Sequence, residues 1–314
     1  MYKQRQMNNR VYIIGAGAIG KALAVFLATE NKEVVLIRGS VDNLSTRSEI
    51  IRVTLADDTE QSANVEVSTL DKHSRLNGIV VLTNKSYGNG ALALRLQGRT
   101  DESPLVILQN GLGIEQAFVD LGFPEIYRCV LFATCQPVGE DRLRFKPAFT
   151  SPIGIIKGDH VHLEAIIRQL SSYHFPFRAE VDIQPVIWKK AIINCVFNSI
   201  CPLLEVDNGV FHREPRVLEM AQRIIFECVA VSKAKGIALE AREILESLLS
   251  ISKSSDGQFI STLLDIQNKR ATEIETLNFE IARIATTVHK ADSVRETLLL
   301  GELTKWKSEF SLHK

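Results

Sequence analysis

Long apolar runs, paired cysteines and a surplus of either charge are all missing from this 314-residue chain. Lys plus Arg and Asp plus Glu balance at 37 each. A general binder of nucleic acid would carry a basic excess, so that class is disfavoured, although zero net charge leaves room for a local basic pocket. No stretch approaches the ~20 continuous apolar residues that a membrane span needs. The opening "MYKQRQMNNR" is polar and runs into a strand-like segment, which does not read as a signal peptide. Cys129, Cys135, Cys195, Cys201 and Cys228 are odd in number and lack metal-ligand spacing, and three lie in apolar runs. They read as small buried hydrophobes of a reducing compartment, so the expectation is a cytoplasmic protein without a metal site. Internal repeats and low-complexity tracts are also lacking. What remains, 45% hydrophobic and 24% charged residues, is the composition of an ordinary globular protein. Its length predicts two domains at roughly 100–200 residues each.

The first half alternates β-rich runs with helical stretches. "VYIIGAGAIG" begins as a strand and breaks into glycines, and "KALAVFLATE" continues with helical periodicity. "EVVLIRGS", "GIVVLTNKS" and "PLVILQNG" read as further strands, with "LALRLQ" as a helix between the last two. β-Branched runs alternating with helices predict a parallel sheet of βαβ units, and their continuous hydrophobicity predicts cover on both faces. Residues 126–156 look like an appended, more antiparallel region. From about residue 161, after a short "FPFRAEV" segment, nearly everything is helix-periodic. Ile274, Leu277, Ile281, Ile284 and Val288 keep one apolar stripe, while "SKSSDGQ" (252–258) reads as a mobile loop. The expected division is an α/β Rossmann-type domain over 1–180 and an all-helical domain over 181–314.

Gly15, Gly17 and Gly20 spell G-x-G-x-x-G, with Ala18 and Ile19 between the last two. Alone the pattern is weak, but here it falls between a strand and a helix of a βαβ unit, which is the dinucleotide-binding context. The glycines permit a tight turn, a close approach of pyrophosphate to the chain, and helix–strand packing; the helix start offers N–H groups to the phosphates. An NAD site usually ends its second strand with Asp or Glu. This chain reads "LIRGS", with Arg38 and Ser40 and no carboxylate. A guanidinium suits a 2′-phosphate, so the cofactor expected is NADP; the bland alternative is a solvated arginine. Asn84 and Lys85 follow one further strand and Asn110 and Gly111 the next, at the carboxyl edge where open α/β sheets bind ligands, although Asn110-Gly111 is also an ordinary turn dipeptide.

"WKKAIINCVFNSI" (188–200) reads as a buried helix, yet it carries Lys190, Asn194 and Asn198 at intervals of four. Such a step makes one polar stripe along the helix. Burying an unpartnered amide costs about 1–3 kcal/mol, so the stripe must face something polar. A substrate cleft is one answer. The bland ones are that Lys190 snorkels to solvent from the first turn and that the two asparagines bond neighbouring helices.

With "GAGAIG", "LIRGS", "NK", "LQNGLG" and "WKKAIINCVFN" in this order, the chain resembles the ketopantoate reductase family over nearly its whole length. "STLLDIQNKRATEIE" adds Ser261, Asp265, Thr272, Glu273, Ile274 and Glu275 to the likeness. The resemblance implies a Rossmann domain joined to a helical domain of the 6-phosphogluconate dehydrogenase C-terminal type. It implies NADPH-dependent reduction of the 2-oxo acid 2-dehydropantoate to (R)-pantoate, on the route to pantothenate and coenzyme A. By motif match Lys190 would be the catalytic lysine and Glu273 its partner carboxylate. Asn194, Asn198 and Ser261 would bind substrate, Asn110 would touch both cofactor and substrate, and Arg38 and Lys85 would take the cofactor side. The chain departs from the family pattern where Gln258 stands for a substrate-binding asparagine, and in the residues after 275. Those changes leave open another 2-oxo acid or an imine as substrate, or an NADP-sensing protein without turnover. Taken alone, Glu273 also reads as a first-turn helix glutamate capped by Thr272. His212 and His289 are expected at the surface, Trp188 in packing, and a homodimer is the assembly to test.

Overall fold

The computed structural model describes residues 8–139 and 142–312. The chain divides into two compact units. One comprises residues up to Gln109 and Ile114–Ile183; the other comprises Asn110–Gly113 and residues from Gln184 onward.

The first unit is a single sheet of β1 (Val11–Ile14), β2 (Val34–Arg38), β3 (Arg47–Thr54), β4 (Glu60–Thr69), β5 (Ile79–Leu82), β6 (Leu105–Ile107), β7 (Ile126–Cys129), β8 (Ala133–Pro137), β9 (Arg142–Pro147), β10 (Ser151–Lys157) and β11 (Phe177–Ala179). They lie in the order β11-β10-β7-β6-β5-β1-β2-β4-β3-β9-β8. The segment β2-β1-β5-β6-β7 is parallel throughout, while β7 with β10 and β8 with β9 are antiparallel. Successive side chains of a strand point to opposite faces. Val11 and Ile13 accordingly pack into one cluster with Leu23 and Phe26 of α1 (Ala18–Thr29), and Tyr12 and Ile14 into another. That second cluster holds Leu92 and Leu96 of α2 (Asn89–Leu96) and Phe118 of α3 (Gln116–Asp120). Cover on both faces explains why these strands are apolar at every position. The last helix of the unit, α4 (His160–Leu170), buries Leu163, Ile166, Ile167 and Leu170 and starts on Asp159, whose side chain accepts from the His162 N–H. This is the Rossmann-type α/β architecture expected.

One departure is local. Between β2 and β5 the chain makes no α-helix but the antiparallel pair β3–β4, followed by a 3₁₀ turn at Leu70–Lys72. Alternation directs it: Ile51, Val53 and Leu55 are buried while Ile50 is exposed. A period of two suits a pleated strand and leaves no helical face.

The second unit is helical: α5 (Ile183–Leu204), α6 (Val210–Arg213), α7 (Pro215–Ala234), α8 (Ala241–Ser254), α9 (Ser261–Gln267), α10 (Asn278–Thr287) and α11 (Arg295–Leu312). By length and composition α5 could cross a membrane, although polar residues interrupt its apolar run; 72% of its most apolar stretch is buried inside the protein, as in a core helix. Trp188 is buried. The N-terminus of α11 is capped from α7, where Glu227 accepts from the backbone of Glu296 and Thr297 at 3.0 and 2.8 Å and from Thr297 Oγ1 at 2.6 Å. The stripe 274–288 does not run on one helix: Ile274–Thr276 form a 3₁₀ turn, and Leu277 (φ −117, ψ −100) breaks the chain before α10. Residues 252–254 of the expected mobile loop lie in α8, with Ser252 buried and donating to Asn208 O at 2.8 Å. Asp256 is paired with Arg213, and the Asn208 N–H donates to Gln258 O at 2.9 Å, so neighbouring chain fastens the segment. His212 is half-buried, with Nδ1 3.0 Å from Ser252 Oγ, rather than at the surface, whereas His289 is exposed.

Candidate active site

Three strands of the first unit end level with one another. Ile14 pairs with Ile37 on one side and Leu82 on the other. Gly15 and Thr83 therefore leave the sheet level with Arg38, the last residue of β2, along one carboxyl edge where the connections diverge to opposite sides of β1, the position at which open α/β sheets bind ligands. Gly15 has φ +123, and a Cβ on it would stand 2.4 Å from Asn84 N; one on Gly20 would stand 2.0 Å from Gly15 O. Those two positions admit only glycine. Gly17, by contrast, faces open space. It is the N-cap of α1, which has neither a capping side chain nor an acidic residue in its first turn. The N–H groups of Ala18, Ile19 and Gly20 and the positive end of the helix dipole are thus presented without a competing carboxylate, which fits a pyrophosphate.

Thr83 Oγ1 closes the loop by donating to Gly15 O at 2.8 Å. Asn84 donates Nδ2 to Lys85 O at 2.9 Å, while its Oδ1 is buried with no partner among the described residues. An orphaned amide oxygen beside a glycine loop wants a donor, which a bound ligand would supply. Lys85 is half-buried just before the 3₁₀ turn Ser86–Gly88. At the end of β2, Arg38 is not merely solvated: its Nη2 donates to Glu49 Oε1 at 2.9 Å, and Arg47 Nε donates to the same oxygen at 2.7 Å. Burial pushes the Glu49 carboxyl up, but the hydrogen bond from Arg47 and the charges of Arg38 and Arg47 outweigh it and hold the group below its ordinary value.

In the second unit, Asn110 begins a four-residue loop whose flanks belong to the first. Gln109 and Asn89 exchange amide bonds at 2.7 and 2.9 Å, and Asn89 Nδ2 also donates to Ile114 O at 2.8 Å, which fixes both stems. The Leu112 N–H donates to Thr276 O at 2.8 Å. Gly111 (φ +113) sits so close that a Cβ there would lie 2.5 Å from Thr276 Oγ1. Thr276 in turn donates Oγ1 to Glu273 O at 3.1 Å, so the Asn110 loop and the Glu273 segment are one packed feature. Glu273 occupies the N-cap position of the Ile274–Thr276 turn, not the first turn of an α-helix capped by Thr272.

The polar stripe lies on α5. Lys190 and Asn194 are half-buried and Asn198 is buried. Asn198 Oδ1 accepts from Thr262 Oγ1 at 2.7 Å, which seats α9, and with it Ser261, against α5. Asn194 has no side-chain partner among the described residues. Ser261 and Gln258 are exposed. Asn84, expected with Lys85 at this edge, lies beside the glycine loop, whereas Thr262, Thr276 and Glu49 join the site without a local signal in the sequence.

A Rossmann-type sheet with a glycine loop on an uncapped helix start, joined in one chain to a helical unit with a polar stripe on its longest core helix, defines the two-unit dehydrogenase-type architecture. Within that class the chain belongs to the ketopantoate reductase PanE/ApbA family. The family's own pattern matches residues 11–148 and its C-terminal pattern matches residues 182–299. A 2-dehydropantoate 2-reductase of Pyrococcus abyssi is 25% identical over 300 residues, 95% of this chain and 97% of that protein. One from Streptococcus pyogenes is 26% identical over 275 residues, covering 85% and 88%. Among solved structures, the 2-dehydropantoate 2-reductase of Geobacter metallireducens superposes with a TM-score of 0.83 at 19% identity, covering 94% of this chain and 99% of that one. A ternary complex of D-mandelate dehydrogenase with NADH and anilino(oxo)acetate gives 0.82 at 21% identity, covering 96% and 99%.

Proposed function

We propose that the protein is an NADPH-dependent reductase of 2-dehydropantoate, forming (R)-pantoate with Lys190 as general acid. The observation that carries this reading is the family match over both units, 11–148 and 182–299, with Lys190, Asn194 and Asn198 inside the second. The nicotinamide cofactor supplies the hydride. Gly17, Ala18, Ile19 and Gly20 would hold its pyrophosphate on backbone N–H groups while Gly15, whose own N–H donates to Ile37 O at 2.9 Å, makes the tight turn; Arg38 would read the 2′-phosphate, Lys85 would take the cofactor side and Asn110 would meet the nicotinamide ribose. Negative charge develops on the carbonyl oxygen as the carbon is reduced, and the Lys190 ammonium meets it and delivers the proton. Glu273 keeps that ammonium charged and aimed. Asn194, Asn198, Ser261 and Gln258 fix the carboxylate and hydroxyl of the substrate without adding a charge that competes with Lys190. Because Thr262 takes the Asn198 carbonyl, its contribution is the Nδ2 donor.

The test is NADPH consumption with 2-dehydropantoate beside a panel of other 2-oxo acids and imines, with NADH as control. Efficient turnover of 2-dehydropantoate that prefers NADPH is expected. The departures at 258–262, with Phe259 46% exposed beside Gln258, favour a second reading in which another 2-oxo acid is the substrate. Faster turnover of a different panel member would establish it. NADPH binding with no turnover of any of them would leave a sensor. The reading also takes the protein to be cytoplasmic, as its five free cysteines support. It further takes it to be a homodimer, like the dimeric ketopantoate reductase of Staphylococcus aureus.

A further inference from the structure

The end of β2 lacks a carboxylate in sequence, yet one is there in space. Glu49, on β3, accepts from Arg38 Nη2 at 2.9 Å and from Arg47 Nε at 2.7 Å. The pair is partly withdrawn from water: the side chain of Glu49 is 22% exposed and that of Arg38 33%. Arg95 of α2, a further cation at the loop after β2, is also engaged, donating to Gly39 O at 3.2 Å and to Asp42 Oδ1 at 2.5 Å. Arg38, Arg47 and Arg95 therefore each already face a protein carboxylate.

We propose that Glu49 is a specificity-determining residue that occupies on Arg38 the place a 2′-phosphate would take, and so sets the preference between NADPH and NADH. The inference rests on the reading of Arg38 as the residue that meets the adenosine ribose. A phosphate drawn to the same guanidinium must lie close to Glu49 Oε1, and two anions sharing one cation repel. NADPH therefore has to displace Glu49 from Arg38 or bind beside its charge. NADH brings only a hydroxyl, which needs no release of Arg38 and can donate to a carboxylate. Glu49 thus lowers the discrimination that Arg38 alone would give.

Glu49→Gln keeps the shape and one acceptor oxygen and removes the charge. Isothermal titration would compare NADPH with NADH, and adenosine 2′,5′-bisphosphate with 5′-AMP, on the wild type, Glu49→Gln, Arg38→Ala and the double variant. Glu49→Ala serves as a second probe, and thermal melts check that each variant is folded. The expected result is that Glu49→Gln tightens NADPH and the bisphosphate by about fivefold and moves NADH and 5′-AMP by less than about twofold, the range of a partly exposed charge pair. Most of that gain should vanish in the Arg38→Ala background. An unchanged NADPH-to-NADH ratio in Glu49→Gln, or a weaker NADPH, overturns the inference while a selective loss in Arg38→Ala leaves the cofactor reading standing. If Arg38→Ala affects both cofactors equally, the reading of Arg38 fails and takes the inference with it.

Discussion

Lys190 carries the heaviest chemical load in the proposed reaction, and it is also the position at which sequence and structure speak most independently. Its spacing from Asn194 and Asn198 could be read from the chain, because a step of four on a helix returns to one face. Lys190→Ala should lower kcat with 2-dehydropantoate by about 10²–10⁴-fold, the usual contribution of a positioned acid. NADPH affinity, which the glycine loop and Arg38 carry in this reading, should change far less than kcat. Steady-state kinetics paired with titration of NADPH checks both halves, and near-normal turnover would remove Lys190 as the acid. Other features of the site were not legible. Glu49 is eleven residues from Arg38, and nothing in the intervening sequence says that the two will meet. The meeting depends on β3 folding back along β4, which itself lies beside β2. The loss of the Asn198 carbonyl to Thr262 is likewise a tertiary fact.

Helix α5 and the glycine turn were legible because each follows a local rule: continuous apolar periodicity for one, a backbone that only glycine can adopt for the other. The hairpin β3–β4 follows a rule just as local, the alternation of buried Ile51, Val53 and Leu55, but expectation of a regular βαβ unit passes over it. On α5, Ile192 is fully buried. Ile192→Ala should cost about 2–5 kcal/mol, the cost of removing a buried aliphatic side chain without collapse of the site. Urea denaturation measures it, and a cost under about 1 kcal/mol would mean that the core there repacks freely. The turn before α6 makes a pH-dependent contribution. Asp207 accepts from Arg213 Nη2 at 2.8 and 2.9 Å and from the Gly209 N–H at 2.7 Å. The Arg213 guanidinium, against a smaller opposing effect of burial, holds the Asp207 carboxyl below its ordinary value. A carboxyl depressed on folding stabilises above its unfolded pKa, near ~3.9, and loses that contribution as pH falls through the folded value. Arg213→Met should therefore lower the urea midpoint at pH 6, and the gap from wild type should narrow at pH 3. An equal gap at both values would show that the guanidinium acts by packing instead.

Each unit buries a core of its own, and the last helix keeps an apolar face exposed. Leu299 (53% exposed), Leu303 (36%), Trp306 (50%) and Phe310 (67%) recur along α11 at steps of four, three and four. That interval places them in one stripe, and the opposite side of the same helix is the buried one, with Thr297, Gly301, Thr304 and Ser308 turned inward. Small residues inward and large ones outward reverse the usual pattern of a helix packed on a single core. Gly301 has a steric reason to be small: a Cβ there would stand 2.8 Å from the Asn278 side chain. The outward residues have none within the chain. Such a stripe is apolar surface that a second copy would cover, and spacing of this kind lets two helices pack side by side. If the homodimer uses α11, Trp306→Glu should convert it to monomer in sedimentation velocity while far-UV circular dichroism and thermal melting of the monomer stay close to wild type. Trp306 fluorescence in the wild type should shift to the red on dilution through the dissociation range. A Trp306→Glu protein that sediments as the wild type does would mean that the subunits associate through another surface or that the chain is a monomer. A wild type that sediments as one chain at every concentration would select the second of these.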